Sequence, residues 1–157
     1  MVFVLDVQGR LETLAMRFED ALSLGPLAGG VEVVRGRESR QSTDSAAERL
    51  REAAASWDWV ALSFRGVSFW DLHVGVVVVE AALRAGLHWT APLDGRIRPL
   101  AETLGAADEI HLSPVTQEFQ LHLPHISESA LADQALGLAE RVTRLLPDLV
   151  HPGPHDR

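Results

Sequence analysis

The 157-residue chain has no cysteine, no tyrosine and no lysine; all 14 of its basic residues are arginine. Without cysteine there is no disulfide framework, no thiolate metal site and no cysteine nucleophile, and the redox compartment stays open. A GC-rich coding bias accounts for the all-arginine set as readily as a functional demand would. Long hydrophobic runs are also missing: the longest is about ten residues, against the ~20 that span a bilayer. The first residues, MVFVLDVQGR, have neither a basic leader nor a cleavable apolar stretch, so the reading expects no signal peptide and no membrane, and by default a cytoplasmic protein.

Acids outnumber bases by 22 to 14, a net charge of −8. A net-negative surface repels the phosphate backbone, which argues against nucleic acid as a partner and leaves room for a basic protein partner. The one basic patch, RGRESRQ at 35–41, reads as a solvated loop. Apolar content of 46% and charged content of 23% are those of a globular chain. A chain of this length suits one domain, able to bury roughly 70% of its unfolded surface. The organisation expected is a single α/β domain over 1–150 and a flexible C-terminal tail at 151–157.

Periodicity then supplies elements. Val2–Val7 is a short apolar run closed by Gln8-Gly9 and reads as a buried strand with its turn. Arg10–Leu22 spaces Leu11, Leu14, Ala15, Phe18 and Leu22 as a helix. Val31–Val34 and Trp59–Phe64 read as strands, and Ser45-x-x-Glu48 as the capping box of a helix reaching Ser56. Asp71–Ala85 reads as a helix with Leu72, Val76, Val79 and Leu83 on one stripe, a Glu80–Arg84 pair on another, and Gly86 as its C-terminal cap. Four consecutive valines favour the rival, a hairpin through Gly66 with a second strand from Val67 onward. A short helix is expected near Arg98–Leu104 and a strand at Glu109–Leu112. Val115–Leu123 alternates as a half-buried strand. The last helix is capped by Ser127 or Ser129, carries the stripe Leu131, Ala135, Leu138, Val142 and Leu145, and is stopped by Pro147. Strands alternating with helices predict a mostly parallel or mixed sheet of four to five strands, helices on both faces, and an antiparallel edge near 109–123.

Four constellations bear on chemistry. LDVQGRLETL at 5–14 resembles, over about ten residues, the opening motif of the haloacid dehalogenase-like phosphatases. That resemblance implies Asp6 as nucleophile and Ser63, at the end of WVALS, as a phosphoryl-holding hydroxyl. Gln8 stands where the family has its general-acid Asp and cannot donate that proton, and Arg10 stands where Thr is expected. A strand ending in a polar turn explains the same residues and is preferred.

The loop after the third strand gathers Ser63, Arg65, Gly66, Ser68, Asp71 and His73. In an open α/β sheet, ligands settle at the carboxyl ends of strands, where Arg65 would grip an anion. Ordinary helix capping by Ser68 or Asp71 is the alternative. His111, His122 and His125, with Glu118, offer imidazole and carboxylate ligands for a metal, but their spacing matches no recognised ligand pattern; surface histidines are the default. Finally, Trp57, Trp59, Phe64, Phe69, Trp70 and Trp89 are partly core, while Phe69 and Trp70 in a loop beside Arg65 have the composition of an interface anchor.

No complete catalytic set stands out. The leading expectation is a small, acidic, non-catalytic protein-binding module of regulatory or toxin-neutralising type, without a cofactor. Its contacts would come from Arg65, Ser68, Phe69, Trp70 and Asp71. The alternative is a small α/β enzyme or binder of an anionic, phosphate-like ligand, with Asp6, Ser63 and His73 around it. Self-association is the other expectation, because an alternating strand at 115–123 left uncovered on an edge is a template for pairing with a second copy.

Overall fold

A computed structural model describes residues 2–25, 27, 29–36, 59–79, 82–105 and 109–150, with the backbone alone at 2–8, 24 and 148–150. The elements are helix α1 (Val2–Leu24), strands β1 (Val31–Gly36), β2 (Trp59–Phe64), β3 (Leu72–Val79) and β4 (Ala82–Trp89), a 3-10 turn at Ala91–Leu93, helix α2 (Asp94–Thr103), strands β5 (His111–Leu112) and β6 (Phe119–His122), and helix α3 (Glu128–Val150). The expected helix ending at Ser56, Trp57, Glu80, most of the 35–41 patch and the tail at 151–157 lie outside the described residues.

The described strands form one six-stranded sheet, ordered β1-β2-β3-β4-β6-β5, and every neighbouring pair is antiparallel. This overturns the mostly parallel or mixed sheet with helices on both faces. The parallel reading needed a crossover helix at 71–85, and that segment is instead the β3–β4 hairpin, with Val79 opposite Ala82. The valines decide it: β-branched side chains fit a pleated surface and lose rotamer freedom in a helix. Both faces of β3 are apolar or buried around Val74–Val77, which erases the two-residue alternation that would have revealed a strand. The rival hairpin had the right kind of structure, but its second strand starts at Leu72 and not at Val67. Gly86 lies inside β4 and caps nothing.

Other differences are local. Val2–Val7 is the first part of α1, not a strand; a six-residue apolar run carries no period of its own and takes that of its neighbours. Gly9 sits within this helix at a solvent-facing position, where it costs about 1 kcal/mol relative to Ala without ending the helix. Of the expected strand at 115–123 only Phe119–His122 forms, because residues 114–116 turn and Gln117 adopts a positive φ of 59°. β6 lies between β4 and β5, so this segment is not the uncovered edge that the self-pairing argument required. Pro147 sits inside α3, which continues to Val150. A proline in a last turn forfeits one backbone bond there, too little to undo a helix held by its buried stripe.

One core results. Leu11, Leu14, Ala15 and Phe18 of α1, and Leu131, Ala135, Leu138 and Val142 of α3, pack with Val60, Leu62, Phe64, Leu72, Val74, Val76, Leu83, Ala85, Leu87, Trp89 and Leu121. By the registers, these strand residues all point to one face of the sheet. Ion pairs tie α1 to that face and to α3: Arg35 of β1 reaches Glu12 at 3.1 Å and Glu19 at 2.8 Å, and Arg10 bonds Glu128. Ser127 caps α3, its hydroxyl accepting from the Ala130 amide at 3.2 Å. The opposite face of the sheet carries different chemistry.

Candidate functional site

On that opposite face, antiparallel register builds a row of side chains across four strands. His73 of β3 stands opposite His88 of β4, His88 opposite Gln120 of β6, and Gln120 opposite His111 of β5. Residues two positions along a strand share the face, so His122 joins from β6, and Glu118 enters just before that strand begins. His73, His88 and Glu118 are the only buried polar or charged residues among those described.

Nitrogens and oxygens in this row touch in sequence. His73 Nδ1 lies 3.0 Å from the Phe69 carbonyl oxygen, which can only accept, so Nδ1 carries the proton and Nε2 presents a lone pair. That Nε2 lies 3.0 Å from His88 Nδ1. His88 Nδ1 is also 3.3 Å from Glu118 Oε1. The other His88 nitrogen, Nε2, meets His122 Nε2 at 3.0 Å. Gln120 donates to Glu118 Oε1 at 3.0 Å and holds His111 Nε2 through its own carbonyl oxygen at 3.1 Å. A hydrogen-bonded chain thus runs from the Phe69 backbone to the exposed His111.

Small residues make the space. Ala61, Gly75 and Gly86 lie on this face, and a Cβ at Gly86 would stand 2.5 Å from the ring of His122 and 3.0 Å from the Leu121 carbonyl oxygen. Gly86 and His122 are direct cross-strand partners, so only glycine admits the imidazole there. From the outer side, Phe69 stacks on His73 at a ring separation of 4.3 Å and on Trp59 at 5.3 Å.

The protonation states follow from this setting. Burial, with the charge of His88 adding to it, pushes His73 down to about 4. Burial also brings His122 to about 4, helped by His88, His111 and Arg84. Burial acts to raise Glu118, but its hydrogen bond to His88 and the charge of that ring outweigh it and hold the carboxyl at about 2. At neutral pH the row therefore offers lone pairs on His73 and His122 beside an ionised carboxylate.

His73, His88 and Glu118 together match a metal's needs. Their three donor atoms lie within 4.8 Å of one another. A tetrahedral ion with ~2.0–2.1 Å bonds places its ligands about 3.3–3.4 Å apart; two of the three edges here are 3.0 and 3.3 Å. Two imidazoles and one carboxylate suit zinc and its neighbours, with the remaining coordination position open. The proton that His73 donates to the Phe69 carbonyl is the outer hydrogen bond that fixes a ligating imidazole.

The residues singled out from sequence fall in several places. His73, named there beside a phosphate-like ligand, is in the row. Of the proposed metal set, Glu118, His122 and His111 are in the row, but His125 is not: its Nδ1 lies 2.9 Å from the Leu83 carbonyl oxygen. Asp71 accepts from the Thr90 hydroxyl at 3.2 Å and does not orient His73. Ser68 closes the loop through its carbonyl oxygen, bonded to the amides of Asp71 and Leu72. Arg65 is exposed, and its amide bonds the Gly30 carbonyl oxygen. Trp70 is 74% exposed, its ring edge-on to Phe69. Ser63 is the penultimate residue of β2, and Asp6 lies in α1, so the strand-and-turn setting of the phosphatase-like motif is not formed. His88 carried no sequence signal of its own. Only the β3–β4 register reveals it: six steps back from Val79 and six forward from Ala82 bring His73 and His88 face to face.

No protein-family model matches the chain, and neither a curated protein nor a solved structure is significantly similar to it.

Proposed function

We propose that the protein binds one divalent transition ion of the zinc class through His73 Nε2, His88 Nδ1 and Glu118, leaving one coordination position for water or a ligand. The observation that carries this reading is the juxtaposition of three donor atoms of buried residues, all within 4.8 Å of one another and two of the three edges at ligand-edge distance, on a face with no other buried polar residue among those described. Its charges suit the task, since the ligating forms of His and Glu are deprotonated, and burial already favours the neutral His73. An ion there is a Lewis acid and acidifies bound water, so the centre suits metal-assisted hydrolysis or ligand capture.

The experiment is equilibrium dialysis against zinc after chelator treatment. One ion per chain is expected for the native protein, and none at the same free zinc for His73→Gln, His88→Gln and Glu118→Gln variants that keep the native circular dichroism. A native protein that retains no zinc, or variants that retain as much, would overturn it.

A second reading has one observation behind it. Trp70, 74% exposed and propped against Phe69, supports a protein-binding surface formed with Arg65, Ser68 and Asp71. Trp70→Ala abolishing co-purification of a stoichiometric partner would support that role.

A further inference from the structure

We infer that His122, which cannot ligate the ion itself, is the residue that turns His88 into a ligand, and that Gly86 exists to seat it. This rests on the metal reading above. The two nitrogens of an imidazole diverge, and His122 meets the one facing away from His73 and Glu118. With an ion on Nδ1, the neutral His88 keeps its single proton on Nε2. The partner for that proton is His122 Nε2, 3.0 Å away. His122 must then present a lone pair at Nε2 and carry its own proton on Nδ1. The Phe69 carbonyl oxygen does the same service for His73, but a carbonyl can only accept, whereas an imidazole must be held in one tautomer to do so. Without an acceptor at this point His88 is free to place its proton on Nδ1, the nitrogen the ion needs.

The fold is shaped around this contact. His122 lies directly across from Gly86, and a methyl group at that position would press on the His122 ring at 2.5 Å. Evicting the ring by a change at Gly86 removes the acceptor while leaving all three ligands in place. His122 is therefore a positioning residue, acting on the ion through His88.

The test combines zinc affinity with the tautomer itself. In native protein loaded with zinc, long-range 15N–1H correlation spectra should show His122 protonated on Nδ1 and His88 protonated on Nε2. His122→Leu should weaken zinc binding by about 10–100-fold, the usual cost of losing such a partner. His122→Gln places an amide oxygen near the same point and should stay within a few-fold of native. Gly86→Ala, checked for native circular dichroism, should resemble His122→Leu. The inference is overturned if loaded His122 is protonated on Nε2, if His122→Leu binds zinc as the native protein does, or if Leu and Gln weaken it equally. Each of these leaves the metal reading standing. A native protein that binds no zinc removes both.

Discussion

The two faces of the sheet obey different rules, and β4 shows the contrast within neighbouring residues. Leu87, fully buried, points into the cluster formed with α1 and α3. His88, one step along, is also buried but points the other way, among groups that must satisfy one another. The helix-covered face is aliphatic and close-packed, and its residues contribute by leaving water. The histidine face buries polar atoms, which costs free energy unless each finds a partner. It also gives up volume to Ala61, Gly75 and Gly86, positions that would otherwise carry packing. A sheet face arranged this way reads as a site.

Substitutions that treat the faces separately test this division. Leu87→Ala should have the largest effect on stability, a loss of about 2–5 kcal/mol from the cavity it leaves, read as a lower urea midpoint with zinc stoichiometry unchanged. A loss of zinc in that variant under folding conditions would show that the faces are not independent.

Zinc should stabilise the native protein through the other face. At a hundredfold excess over its dissociation constant the gain is about 2.7 kcal/mol, a rise in melting temperature of roughly 5–10 °C for a domain of this size. The His88→Gln variant should show no such rise, and a rise there would place the ion elsewhere.

Acid should act on the histidine face as well. His73 and His122 lie near 4 against an ordinary 6.5, so between these values the unfolded chain binds more protons than the native one. Their contribution is complete above pH 6.5 and is lost as pH falls towards 4. Glu118, at about 2 against 4.5, extends the same trend below pH 4.5. Urea midpoints of the metal-free protein should therefore fall from pH 7 to 4, and His73→Gln should flatten the fall. A flat native profile would mean that these imidazoles are not held neutral by the fold.

The smallest effect is expected at Gln117, where a positive φ of 59° turns the chain from β5 towards Glu118. A non-glycine residue there costs about 1–2 kcal/mol, partly returned by the bond from its side-chain amide to the Pro114 carbonyl oxygen. Gln117→Gly should raise the unfolding free energy by no more than about 1 kcal/mol, read as a slightly higher urea midpoint, with zinc affinity nearly unchanged.

What could be read from the chain followed the same division. The stripes Leu11–Phe18 and Leu131–Val142 are amphipathic at helical spacing and both lie in helices, although α1 starts at Val2, where a strand was expected, and α3 runs past Pro147. β2 forms as the strand expected over Trp59–Phe64, and it runs between β1 and β3 with its following turn exposed at the rim. Sheet direction was lost chiefly at the valine run of β3, where helical and extended spacings fit equally well, and also at Val2–Val7, an apolar run that reads as a strand and folds as helix. The site was lost with it. His73 was singled out but set on a helix, and His88 had no pattern around it. A row of side chains across four strands is a property of register, and register is written in the hairpin joining β3 to β4. His111, Glu118 and His122 were noticed as ligands, but the partners that complete the site, His73 and His88, lie on β3 and β4.

The most direct measurement is X-ray absorption at the zinc edge of the loaded native protein. A first shell of nitrogen and oxygen at ~2.0–2.1 Å, with the outer scattering of two imidazoles, is the predicted result, and no such shell in His88→Gln treated with zinc in the same way. A shell of oxygen alone, or one unchanged by that substitution, would contradict a metal centre built on His73, His88 and Glu118.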